Sequence, residues 1–96
     1  MTFEWDDEKS QSNLMKHGVS FDLASEAFLD ENAFFTQDDR FDYDGEQREI
    51  LIGRPQGLPS DVLLVVFTER QGETIRLISA RKANRREQGW YYGQNG

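Results

Sequence analysis

A chain of 96 residues has room for one domain, so residues 1–96 are read as a unit. It holds no cysteine, which excludes a disulfide framework and a thiolate zinc site. Its net charge of −7 argues against long-range attraction to nucleic acid, and its longest apolar run, residues 62–67, is far too short to span a bilayer.

The charge is split along the chain. Residues 1–50 hold 14 Asp and Glu against 4 Lys and Arg, whereas residues 51–96 hold 4 against 7. Exposed charges are screened beyond about 8 Å at physiological salt, so an acidic average leaves room for a local phosphate site in the second half. The acidic N-terminus lacks the apolar segment of an export signal, and a cytoplasmic location is expected.

Phe3-Glu4-Trp5 alternates and predicts a short strand at a sheet edge. Asp6 or Asp7 caps a helix that runs to about His17 and ends at Gly18. Ser20 caps a second helix over residues 21–29, with Phe21, Ala24, Ala27 and Phe28 as its core stripe. Residues 33–36 form a short aromatic strand, and residues 37–46 an acidic loop that closes on Asp44-Gly45. Its carboxylates (Asp38, Asp39, Asp42, Asp44, Glu46) lack calcium-loop spacing and are read as solvated. Residues 47–53 are the next strand. Both prolines lie in the loop 54–60, where pairing must break. Residues 62–67 are apolar on both parities, as in a central strand covered on both faces. Gln71-Gly72 turns the chain back into a strand over residues 74–80. A last helix then starts at once, and residues 94–96 fray. The order β-α-α-β-β-β-β-α is an α+β domain, with helices on one side of an antiparallel sheet.

The stretch 74–92 carries most of the chemistry. On a helix starting at Arg81, the pairs Arg81/Arg85 and Lys82/Arg86 form two adjacent basic rows. Cations near a helix start oppose the macrodipole, so a bound anion there is one reading and a solvated face the other.

Several spaced residues carry a resemblance. Trp5-Asp6, Lys9, Asn13, Lys16-His17-Gly18-Val19, Phe21, Ala24, Phe28 and Asp30 open it. Gly45-Glu46, Arg48, Gly53, Thr68, Arg70 and Ile78-Ser79-Ala80-Arg81-Lys82-Ala83 continue it, and Glu87 and Tyr91 close it. The pattern resembles the BrnT toxin family. The resemblance implies a RelE-like fold with two N-terminal helices, an antiparallel sheet and a C-terminal helix. It also implies a type II toxin–antitoxin system, with the chain as a metal-independent ribonuclease that needs no cofactor and arrests translation. The implied partner is a BrnA-like ribbon-helix-helix antitoxin, through which alone operator DNA would be bound. This chain departs from the family pattern in its acidity and in Gln88-Gly89, where Gly89 costs the last helix about 1 kcal/mol relative to Ala. Its acidity motivates a second reading, a toxin-like binding module that serves as scaffold or co-repressor with its antitoxin.

RNA is cut without metal when its own 2′-hydroxyl attacks the adjacent phosphate. The protein must hold that phosphate, stabilise added charge and move protons. Arginine suits the charge task, being planar, forked and always ionised. If Gln71-Gly72 pairs Arg70 with Glu73, Arg81 falls near Val62, roughly 25 Å from Arg70 at about 3.3 Å per residue. Arg54, Arg81, Lys82 and Arg85 then share one end of the sheet. Arg48 and Arg76 flank Phe67 toward the other end, with Arg70 beyond. The expected site is therefore Arg81 on the phosphate, Arg54 and Lys82 assisting, and Tyr91 or Glu87 moving protons, the glutamate only if its pKa is raised. Arg85, Arg86, Arg76, Arg70, Arg48, Lys16 and His17 are candidate RNA contacts. Each has a plainer reading: Tyr91 as a core-capping aromatic, Arg70 paired with Glu69 or Glu73, Arg48 with Glu46 or Glu49, and Lys16 with Asp7 or Glu8. For His17 it is a cation at a helix end.

Overall fold

The computed structural model describes residues 1–38 and 47–93. The acidic loop beyond Asp38, with its Asp44-Gly45 turn, and the fraying expected at residues 94–96 lie outside them. The element order is β1 (Thr2–Glu4), α1 (Asp7–His17), α2 (Phe21–Glu26) with a 3₁₀ turn (Ala27–Leu29), β2 (Phe34–Asp38), β3 (Arg48–Gly53), β4 (Leu63–Glu69), β5 (Thr74–Lys82) and α3 (Arg85–Gly93). One five-stranded sheet runs β1-β5-β4-β3-β2. The α+β class is as expected.

Local chemistry sets the helix ends. Asp6 accepts from the backbone N–H groups of Glu8 and Lys9, and Ser20 accepts from that of Leu23. Gly18 closes α1 at φ 71°, a left-handed conformation that glycine adopts without cost. Gly53 is required for another reason: a Cβ there would sit 2.9 Å from the carbonyl oxygen of Ala27. The sheet and the 3₁₀ turn can approach this closely only without a side chain.

The layout differs from the sequence expectation in three respects. First, β1 joins β5 in parallel, so the sheet is mixed. Secondly, helices lie on both faces. α1 and α2 cover Leu51, Leu63, Val65, Phe67 and Leu77, whereas Ala83 and Tyr91, the latter on α3, pack with Ile50, Ile52, Leu64 and Val66. The doubly apolar β4 had signalled this second layer. Thirdly, β5 does not turn into a helix at Arg81. Lys82 still pairs with Leu63, and Arg81 with Leu64.

Two one-residue shifts account for that register. Arg70 N–H donates to the carbonyl of Thr74 (2.8 Å), so three residues rather than two close the hairpin. A bulge between Val66 and Phe67 adds the other. Arg81 thus moves from the expected Val62 to Leu64. The helix waits for Asn84. Its side chain accepts from Glu87 N–H (2.9 Å), while Glu87 accepts from Asn84 N–H (2.9 Å), a reciprocal cap. The two basic rows expected on one helix therefore do not form, because Arg81 and Lys82 belong to the strand. Among the described residues no helix is long and apolar enough to cross a membrane.

Candidate functional site

A groove of about 560 Å³ opens on the α3 face of the sheet. Alternate residues of a strand share a face, so Phe34, Thr36 and Asp38 of β2 line it with Ile50 of β3 and Leu64 of β4. Its wall is α3 and its cap: Asn84, Arg86, Glu87 and Trp90.

Arg81 and Glu87 form a two-pronged ion pair at this wall, with N···O distances of 2.7 and 2.8 Å. The strand presents Arg81 beside Leu64, and the first turn of α3 presents Glu87. The Glu87 side chain is 10% exposed and that of Arg81 33%, so the pair is partly dry and keeps one edge toward the groove. Arg86 stands one residue before Glu87, exposed, its guanidinium 5.3 Å from the Trp90 ring centre.

A separate knot lies toward the other end of α3. Asp30 accepts from Tyr91 Oη (2.5 Å), Arg54 N–H (2.9 Å) and Asn32 N–H (2.9 Å). Burial pushes the Asp30 carboxyl up, but these bonds and the Arg54 charge outweigh it and hold it below the usual range. Burial, then the bond to Asp30, pushes the Tyr91 phenol up to about 12. The Arg54 guanidinium donates to Tyr92 Oη (2.7 Å) and lies 5.7 and 5.1 Å from the Tyr91 and Tyr92 ring centres. The Tyr92 bond chiefly raises the Arg54 pKa, while the Arg54 Nε is buried without a hydrogen-bond partner.

The expected convergence of Arg54, Arg81 and Lys82 is not assembled. Arg81 is held by Glu87, and Arg54 by two tyrosines. Lys82, across from Leu63, is on the opposite face from Arg81 and meets Asp61 at 3.6 Å. Tyr91 is committed to Asp30 rather than to the groove. Arg85 and Arg86 do share the start of α3. Arg76 donates to Glu4 (2.8 Å), Arg48 faces Asp38 across the ladder, and Arg70 sits at the hairpin end. Lys16 and His17 line a small hollow with Lys9 and Asn13 where α1 meets β5. Sequence reasoning missed Asp30 as an anchor, and missed Trp90 and Phe34 entirely. The Arg86–Trp90 spacing of four was the available signal for Trp90. Locally Asp30 signals only its turn to Asn32, because its anchoring partners Arg54 and Tyr91 are 24 and 61 residues away.

Five strands in one mixed sheet, α1 and α2 on one face and a short capped helix walling an open groove on the other, define a small α+β protein. A family model described as the ribonuclease toxin BrnT of type II toxin–antitoxin systems matches residues 5–87. The chain belongs to that family. Its fold is similar to the crystal structure of the Brucella abortus ribonuclease toxin BrnT, with a TM-score of 0.67 and 32% sequence identity over 88% of this chain and 99% of that one. No curated protein gives a significant match.

Proposed function

We propose that the chain is an endoribonuclease that works without metal, arrests translation by cutting RNA in the cytoplasm, and is neutralised by a BrnA-like ribbon-helix-helix antitoxin, which alone contacts operator DNA. The observation that carries this reading is the Arg81–Glu87 pair at the groove wall. An ionised carboxylate beside a guanidinium can take the 2′-hydroxyl proton. The 2′ oxygen then attacks phosphorus, the bond to the 5′ oxygen breaks, and that oxygen takes a proton from water. Protonating Glu87 loosens its grip on Arg81 at the moment the phosphate gains charge. The guanidinium is thereby released toward the added charge. Arg86 at the rim holds the phosphate beforehand.

The test is Glu87→Gln, which keeps the side chain's size and its cap but not its basicity. Cleavage of a single-stranded RNA in the presence of a chelator should fall about 10²- to 10⁴-fold, and a 2′-deoxy residue at the cut should abolish it. Wild-type protein that cuts only with added metal, or that cuts the deoxy substrate, sinks the reading. A second reading, scaffold or co-repressor, draws on the same pair, because Arg81 is already neutralised and the chain is acidic overall. It requires an antitoxin complex that binds operator DNA while the free protein leaves RNA intact.

A further inference from the structure

We propose that Trp90 is the platform on which one base of the RNA stacks, next to the phosphate held by Arg86 and Arg81. This rests on the ribonuclease reading and extends it to a residue beyond the family match, which ends at Glu87.

Trp90 is 42% exposed, a large apolar side chain left open on a groove wall. Its neighbours suit a nucleotide. Arg86, one helical turn before it, lies over the ring. A cation and an aromatic one turn apart, about 5–6 Å between Cβ atoms, can take a phosphate and its base together. Phe34, Ile50 and Leu64 give the groove an apolar floor for the base edge and sugar.

Charge favours the same occupant. Glu87 is matched by Arg81, and Asp38 lies directly across the ladder from Arg48. Arg86 adds a positive charge whose partner is an aromatic ring. The geometry also decides where the base goes. Phe34 and Trp90 ring centres are 6.3 Å apart and tilted by 33°. A base between them needs about 7 Å, two contacts of about 3.5 Å each. The base therefore stacks on Trp90 outside that ring pair, in competition with the Arg86 guanidinium 5.3 Å from the ring centre. Displacing Arg86 frees it for the phosphate, so base and phosphate bind as a coupled unit.

The chain has two tryptophans, so Trp5→Phe leaves Trp90 as the only one. Trp5 packs edge-on against Phe21 at 6.0 Å, and phenylalanine keeps a ring there. The probe is a single-stranded, non-cleavable 2′-deoxy oligonucleotide, with an abasic version as control. The intact oligonucleotide should quench Trp90 emission and the abasic one should not. In the native-Trp5 chain, Trp90→Ala should weaken binding about 5- to 150-fold, and Trp90→Phe only a few-fold, each measured at a temperature where the variant is folded. Absence of quenching, or equal affinity of Trp90→Ala and wild type, overturns the proposal. So does quenching by an antitoxin alone. Quenching by the oligonucleotide in a protein that cuts no RNA would support the stacking site and sink the ribonuclease reading. Cleavage without quenching would do the reverse.

Discussion

On the α1–α2 face of the sheet, Phe21, Ala24, Leu51, Leu63, Val65 and Phe67 are each 2% exposed or less. Phe28 seals it, edge-on to Phe3 at 5.1 Å and to Phe67 at 4.9 Å. The buried amide of Asn13 is engaged at both its nitrogen and its oxygen. Asn13 donates to the carbonyls of Val19 (2.9 Å) and Ala80 (2.8 Å) and accepts from Ala80 N–H (3.0 Å). On the α3 face, a helix of nine residues covers only part of the sheet. Its polar groups stand at the edge of open space, and its large aromatic Trp90 is half out of the protein. A small domain has few residues to spend on burial, so concentrating them on one face leaves the other able to stay partly uncovered. The closed face carries stability, and the open face can carry polar groups that a tight core would not tolerate.

That division can be broken most severely from the closed side. Phe21→Ala should lower stability by about 3–5 kcal/mol, because the side chain is wholly buried and its cavity is walled by the sheet. For a chain this size each kcal/mol is about 4–8 °C of melting temperature. Thermal unfolding followed by circular dichroism measures it. A loss under about 1 kcal/mol would show that the closed face is not where the stability resides. Asn13→Ala is next, at about 2–3 kcal/mol, since it strands up to three backbone groups in a dry place. Both variants should retain the groove's chemistry at temperatures where they are folded. A variant that is fully folded yet inactive would mean the two faces are coupled.

The same contrast explains how much could be read from the sequence. The closed face follows from local signals: Asp6 and Ser20 as caps, Gly18 as a stop, and Phe21, Ala24 and Ala27 at helical spacing. Even the central position of β4 was visible in its apolar run. The open face depends on register, which local signals fix poorly. A hairpin loop one residue longer and a bulge at Val66/Phe67 together moved Arg81 two places along β4. Moreover, the basic run 81–86 reads as one helix by charge spacing, whereas the Asn84–Glu87 reciprocal cap starts the helix after Lys82. Candidates chosen by charge alone were thus a mixture. Glu87 and Arg86 line the groove, with Arg81 joined to it through its ion pair with Glu87, whereas Lys82 faces away and Arg54 joins a tyrosine knot that no spacing rule announces.

That knot supplies the mildest test of the division, because Tyr91 is on α3 and yet belongs to packing. Tyr91→Phe removes one hydrogen bond to Asp30 and should cost about 1 kcal/mol near pH 7. The sign of its pH dependence is fixed. A phenol whose pKa rises from 10 to about 12 on folding contributes stability that is complete below pH 10 and is lost as pH climbs toward 12. Wild type and Tyr91→Phe should therefore converge in urea unfolding as pH rises through that window. Asp30 behaves oppositely. Its carboxyl is lowered in the fold, so its contribution is present above the ordinary carboxylate range and lost as pH falls through the lowered value. Without the Tyr91 bond, burial is less opposed, and acid unfolding should begin at a higher pH in the variant. RNA cleavage then separates the two roles open to this tyrosine. An anchor leaves the rate within a few-fold of wild type once the protein is folded, whereas a proton-transfer group would take it down about 10²-fold or more. A collapse of the rate with an unchanged pH profile of stability would return Tyr91 to the chemistry and move the site from the groove to the knot.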